Sequence, residues 1–210
     1  PIVFGHYKQP GATKTILVYG HYDVMPVEPL ELWESQPFEP EIRDGRIYAR
    51  GANDDKGQIM IQLKGFETAK ALGLVGVNVK FIFEGEEEIG SGSLSPFCRE
   101  HKDLLAADVI LVSDTTMLSE ETPSITAGLR GLAYWQVEVT GPNRDLHSGH
   151  FGGAVANPIN ELCKIIARIV DDKGRITVPG FYDKVLPLSD EERAMIHKVP
   201  FSEEDYCRAL

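Results

Sequence analysis

From Val77 to Phe83 apolar and polar residues alternate, and the alternation stops at a run of acids, Glu84-Gly-Glu-Glu-Glu-Ile-Gly-Ser91. A period of two predicts a strand, here one that ends in a cluster of carboxylates. Thr15-Ile-Leu-Val-Tyr-Gly20 and Asp108-Val-Ile-Leu-Val-Ser113 are continuous apolar runs and read as buried strands. Between the first two strands, residues 24–50 are rich in Pro, Glu and Gly. They read as a surface excursion with small hairpins, anchored by Trp33, Phe38, Ile42, Ile47 and Tyr48. After the glycine-bounded loop 51–57, Ile59, Leu63 and Phe66 fall at helical spacing, with Gly73 as the stop. Residues 93–105 read as helix or irregular structure.

Strand, helix, strand, helix, strand predicts an α/β fold: a mostly parallel sheet with helices on both faces. Beyond Asp114 the pattern changes. Residues 132–139 alternate and read as a strand with one covered face, and 175–178 as a short strand. Asn157-Pro158 can cap and start a helix. Ile159, Leu162, Ile165, Ile166 and Ile169 then form an apolar stripe read as core. Ser189 with Glu192 three residues on predicts a capping box. The expected division is 1–127, the N-terminal part of one domain, and 128–210, an incomplete second one.

Composition narrows the function. The chain has 210 residues and a formal net charge of −11. That charge argues against a nucleic-acid or anionic-membrane surface. No apolar run is long enough to span a bilayer, and no signal-peptide pattern is present. Cys98, Cys163 and Cys207 are widely spaced and in no metal pattern. They read as reduced thiols, which suggests a cytoplasmic protein. The chain opens on Pro1 rather than Met and reads as a piece of something longer.

In a parallel sheet, ligands gather outside the carboxyl ends of the strands. His21, the glutamates 86–88 and Asp114 each follow a strand at that end, and Asp54 and Asp55 lie in the loop that leads into a helix. The topology brings all four stretches to one rim. An acidic run by itself is most simply a solvated turn. Adjacent glutamates repel one another, however, and a divalent ion is the usual compensation. One His with several carboxylates suits Zn, Mn or Co and suggests two metals sharing a carboxylate. His21 followed by Asp23 fits an imidazole whose second ring nitrogen is oriented by a carboxylate.

Gly20-His-Tyr-Asp-Val-Met-Pro26, Tyr48-Ala-Arg-Gly-Ala-Asn-Asp-Asp-Lys-Gly57, Glu84-Gly-Glu-Glu-Glu-Ile-Gly-Ser91 and Ser113-Asp114 resemble the dinuclear-zinc aminoacylase and dipeptidase family. This family takes in carnosinase, cytosolic nonspecific dipeptidase, carboxypeptidase G, acetylornithine deacetylase and succinyl-diaminopimelate desuccinylase. Gly128-Leu-Arg-Gly131 and Asp145-Leu-His-Ser-Gly-His-Phe-Gly-Gly153 look most like the dipeptidase branch. The resemblance implies two divalent ions, zinc first, with His21 and Asp114 on one, Asp54 bridging and Glu88 on the other. It implies Glu87 as the general base acting on a water between the metals, and Asp23 as the group that orients His21. His147, in a lid and dimerisation domain, would reach the partner subunit's active site and stabilise the oxyanion.

The family's remaining metal-binding His lies beyond position 210, so the second ion would keep only Asp54 and Glu88. A cis peptide between Asp54 and Asp55 is also implied. The reaction implied is hydrolysis of the amide bond in dipeptides or small peptides. The alternatives are deacylation of N-acyl amino acids, or a non-catalytic metal-binding fragment. The complete protein would be a homodimer. Glu86, Asp55 and His150 read as surface groups or outer partners of the site, and His6, His101 and His197 as ordinary surface histidines.

Overall fold

The computed structural model describes residues 1–119 and 121–208. The chain divides into two units, Pro1–Leu129 and Arg130–Leu210. In the first, four strands form one sheet in the order β1 (Ile2–Tyr7), β5 (Asn78–Glu84), β2 (Thr15–His21), β6 (Val109–Val112). β5 and β6 both run parallel to the central β2, in registers that set His21 opposite Glu84 and Tyr19 opposite Val112. β1 is antiparallel to β5. It was not foreseen, because its half-buried residues do not alternate cleanly and Gly5 interrupts them.

Helix α1 (Lys56–Ala71) follows the glycine-bounded loop and ends before Gly73, which takes the left-handed φ of 70° that a helix stop favours. Leu63 and Phe66 from α1 pack on a buried centre of Val18, Val79 and Phe81. Phe66 meets Phe81 edge-to-face at 5.5 Å between ring centroids and Tyr7 at 5.2 Å. Such pairs add to the burial of apolar area that holds the helix on the sheet. Helices α2 (Leu94–Glu100) and α3 (Lys102–Leu105) then lead into β6.

Two expectations in this unit are corrected. β6 is an exposed edge strand, with Val109 and Ile110 57% and 63% accessible. A run of Val and Ile reads as a strand covered on both faces, yet among the described residues β6 has only β2 beside it. The excursion does contain a hairpin, β3 (Glu41–Arg43) and β4 (Arg46–Tyr48), turning at Asp44-Gly45. Of its five expected anchors only Trp33 is half-buried, with its indole N–H donating to the Val27 carbonyl at 2.8 Å; Phe38, Ile42, Ile47 and Tyr48 are exposed.

The second unit has four helices among its described residues: α4 (Ser148–Phe151), α5 (Pro158–Ala167), α6 (Asp190–His197) and α7 (Glu203–Arg208). Asn157 caps α5 by accepting from the amides of Ile159 and Asn160, and Ser189 and Glu192 form the reciprocal capping box of α6. Residues 132–139 are not a strand; they are irregular, with Tyr134 and Trp135 exposed. The strand expected at 175–178 shrinks to one bridge between Val170 and Ile176. Alternation supplies a strand's faces but not its hydrogen-bonding neighbour: among the described residues 132–139 pairs with no strand, and 175–178 meets only the short stretch around Val170. The apolar stripe of α5 is not core either: Ile159, Ile165 and Ile166 are exposed. No helix among the described residues is long and apolar enough to cross a membrane.

Candidate metal centre

Three strand ends and one loop build the site. His21 is the last residue of β2, Asp114 lies two residues beyond β6, and the glutamates follow β5. Asp54 comes from the loop before α1, and the peptide bond from Asp54 to Asp55 is cis.

The His21 side chain is fully buried. Its Nδ1 lies 3.2 Å from the Asp23 carbonyl oxygen and 3.3 Å from Asp23 Oδ1. Its Nε2 faces the opposite way, 2.9 Å from Asp54 Oδ1 and 3.7 Å from Asp114 Oδ2. One donor atom from each of His21, Asp54 and Asp114 lies within 4.8 Å of the others, and these three residues could hold a metal ion. The donor set fits a divalent cation of the Zn, Mn or Co kind: one imidazole nitrogen, oriented from behind, and two carboxylate oxygens.

Electrostatics point the same way. Burial disfavours the His21 imidazolium, but the hydrogen bond to Asp54 and the nearby Asp114 and Asp55 carboxylates outweigh it and hold the imidazole above its ordinary range. The Glu87 carboxyl is also raised, by burial first and then by Asp114, Glu88 and Asp54, against a pull from His21. Burial raises Asp55 too, with Asp114 and Asp54 adding to it despite the His21 amide. These carboxylates share one small volume with one imidazole, and a cation there relieves the repulsion.

Asp23 does more than its position in the sequence suggested. Its Oδ1 accepts the Glu87 amide at 3.2 Å and its Oδ2 the Glu88 amide at 3.0 Å. Those amides overcome the burial penalty and hold its carboxyl below the usual range. The glutamate turn is a single 3-10 turn, Glu87–Ile89, closed on both sides. Glu86 accepts from the amide and hydroxyl of Ser93 at 2.8 and 3.0 Å. Glu84, only 2% exposed, accepts the hydroxyls of Tyr19 at 2.6 Å and Ser91 at 2.8 Å. Burial and the bond to Glu84 push the Tyr19 phenol up.

Of the expected ligands, His21, Asp54 and Asp114 come together. Glu88 lies outside that group, with one oxygen accepting the Met25 amide at 3.2 Å. His147 belongs to the second unit, where it caps α4 by accepting the Gly149 amide on Nδ1 at 3.0 Å and sits 5.0 Å, ring to ring, from His150. His6, His101 and His197 are exposed, as expected. Sequence reasoning missed the network around Glu84 and the depth of Asp55, which is completely buried. A signal for Glu84 was available: it is the one acid of the run that falls inside the strand's alternation.

Comparison with known proteins bears on this geometry. The family model described as peptidase family M20/M25/M40 matches residues 17–199. The Cys-Gly metallodipeptidase DUG1 of Candida albicans is 40% identical over 214 residues, covering 98% of this chain and 43% of that protein. The Beta-Ala-His dipeptidase of Rattus norvegicus is 36% identical, covering 100% of this chain and 43% of that protein. Among solved structures, an M20 family metallo-carboxypeptidase, Sso-CP2 from Sulfolobus solfataricus, superposes with a TM-score of 0.78 at 35% identity, over 100% of this chain and 47% of that one. The chain thus spans less than half the length of these relatives.

Proposed function

The chain belongs to peptidase family M20/M25/M40, and on that premise we propose that it carries part of the active site of a metal-dependent dipeptidase. The observation that supports this most is the buried His21 with Nδ1 toward Asp23 and Nε2 toward Asp54 and Asp114. His21, Asp54 and Asp114 would hold one divalent ion, zinc first, and Glu88 with Asp54 would help to hold a second. Bound ions of this kind polarise a carbonyl and make water more acidic.

Glu87 takes the proton of the attacking water and returns it to the leaving amine. Burial and the neighbouring carboxylates raise its carboxyl above the ordinary range, the direction that suits a group that must both take and give a proton. Asp23 sets both the tautomer of His21 and the position of Glu87, through the bonds described above. His147 stabilises the oxyanion from within a partner subunit's site, which makes the complete protein a homodimer. Residues 1–127 are then the N-terminal part of the metal-binding domain, and 128–210 the start of the lid. The substrate is a dipeptide or small peptide, and the protein is cytoplasmic.

The test is metal analysis of this 210-residue chain after exhaustive dialysis, beside a dipeptidase assay of the complete protein. Retention of one equivalent of zinc, lost in His21→Ala, supports the site. A chain that retains none overturns it. Dipeptide turnover by the complete protein supports the substrate class, and turnover of N-acyl amino acids alone replaces it with a deacylase.

A further inference from the structure

Asp55 is a buried acid for which the reaction above has no use. Its side chain is fully inaccessible. It stands at the N-terminus of α1, where an aspartate normally caps the helix, yet it makes no side-chain cap. Instead the side chain turns to the sheet, and Oδ2 accepts the backbone N–H of His21 at 3.1 Å. The other oxygen, Oδ1, is buried with no hydrogen-bond partner. Leaving a buried carboxylate oxygen unpaired is costly.

The approach is close enough to dictate the neighbouring residue. A Cβ on Gly20 would fall 2.8 Å from Asp55 Oδ2 and 2.6 Å from Ile59 Cγ1. Gly20 leaves the space through which the loop before α1 reaches the end of β2. Two residues that supply donors to the cluster, His21 and Asp54, come from separate segments of chain. Asp55 is covalently next to one and hydrogen-bonded to the backbone of the other.

We propose that Asp55 is the positioning residue of this centre, a strut that fixes Asp54 against His21, with Gly20 as the clearance it requires. This rests on the metal reading above. It assigns the work to a single accepted hydrogen bond. An asparagine can accept the same bond through its amide oxygen, whereas an alanine cannot. Groups that orient ligands from behind are worth roughly 10- to 100-fold in metal affinity.

The experiment measures zinc affinity of the 210-residue chain by competition with a chromophoric chelator. Thermal melting of the metal-free chain is followed in parallel. Asp55→Ala should weaken zinc by roughly 10- to 100-fold, Asp55→Asn should bind close to the unsubstituted chain, and Gly20→Ala should weaken zinc in the same direction as Asp55→Ala. Unaltered affinity in Asp55→Ala, with or without a lowered melting temperature, overturns the proposal. So does an Asp55→Asn chain as weak as Asp55→Ala, because charge rather than geometry would then be at work. If Asp55→Ala does not fold, Gly20→Ala decides, and zinc binding like that of the unsubstituted chain overturns the strut. An unsubstituted chain that does not bind zinc overturns the metal reading itself and is told apart by that arm alone.

Discussion

The two units obey the same local rules with different outcomes. In the first, a sheet and α1 bury Val18, Val79 and Phe81, and the chemistry-bearing residues stand at the end of that packed layer. In the second, the helix caps are as well made as any in the chain, yet α5 leaves Ile159, Ile165 and Ile166 exposed. Capping is settled within four residues and needs no partner. A core needs elements brought from far along the chain, and in the first unit residues some sixty positions apart are hydrogen-bonded neighbours, as Ile16 and Val79 are. A side chain can be aimed to a fraction of an ångström only where such packing holds its backbone.

The comparison can be broken first at the reaction. In the complete protein, Glu87→Gln should lower kcat by roughly 10²- to 10⁴-fold while the metal content is kept. A metal-replete Gln variant with near-normal kcat would remove Glu87 from the role of base. The next effect is on folding: Phe81→Ala should destabilise the chain by about 3–5 kcal/mol, because it opens a cavity between Phe66, Phe83 and Val18. Denaturant unfolding measures this, and a loss below 1 kcal/mol would mean that the first unit's core is not the stabilising one. Asn157→Ala, in the second unit, should cost about 1 kcal/mol by leaving the Ile159 and Asn160 amides unpaired.

Protons give a further contrast. His21, Asp55 and Glu87 all have folded-state pKa values above their ordinary ones. At these three groups the native metal-free chain binds more protons than the unfolded one, so their contribution to stability should fall as pH rises from the carboxylate range through the raised value of His21, while His6, held low by desolvation, Lys80 and Lys8, contributes in the opposite sense. Asp23 has the opposite sign, since its lowered pKa contributes stability that is lost on acidification through that value. Melting temperatures of the metal-free chain across pH 5 to 9 test the sum, and zinc should flatten the alkaline fall. A chain that grows more stable toward pH 9 would contradict the shared repulsion of these groups. Smallest of all, Ile166→Ala should change stability by less than about 0.5 kcal/mol, because its side chain is already in contact with solvent. A larger loss would show that the stripe of α5 is covered in solution.

What the sequence disclosed divides along the same line. The strands at 15–21 and 78–84, helix α1, and the caps of α5 and α6 were legible, because each is written in a local period or a fixed offset. The gathering of His21 and Asp114 was legible from topology, since parallel strands put their carboxyl ends on one rim, and Asp54 was expected there from the loop that leads into α1. Burial was not legible for β6 or for α5: an apolar residue states a preference, and the neighbours decide whether it is met. Residues 132–139 show the limit of alternation, which fixes faces but cannot summon a second strand. Asp55 was set aside as a possible outer group, because nothing in a two-aspartate sequence says which of them turns inward.

The carboxylate of Asp23 is a single rigid plane with claims on it from two directions, His21 on one side and the amides of Glu87 and Glu88 on the other. Tilting the plane to suit the imidazole drags the glutamate turn with it. Under the function proposed above, affinity for metal and basicity of the proton acceptor are therefore expected to be geared together through Asp23. A substitution that repositions His21 and one that repositions Glu87 should show effects that fail to add, with the discrepancy collapsing once Asp23 is removed. Any lineage or engineer wishing to change one must pass through a variant in which the other has shifted as well.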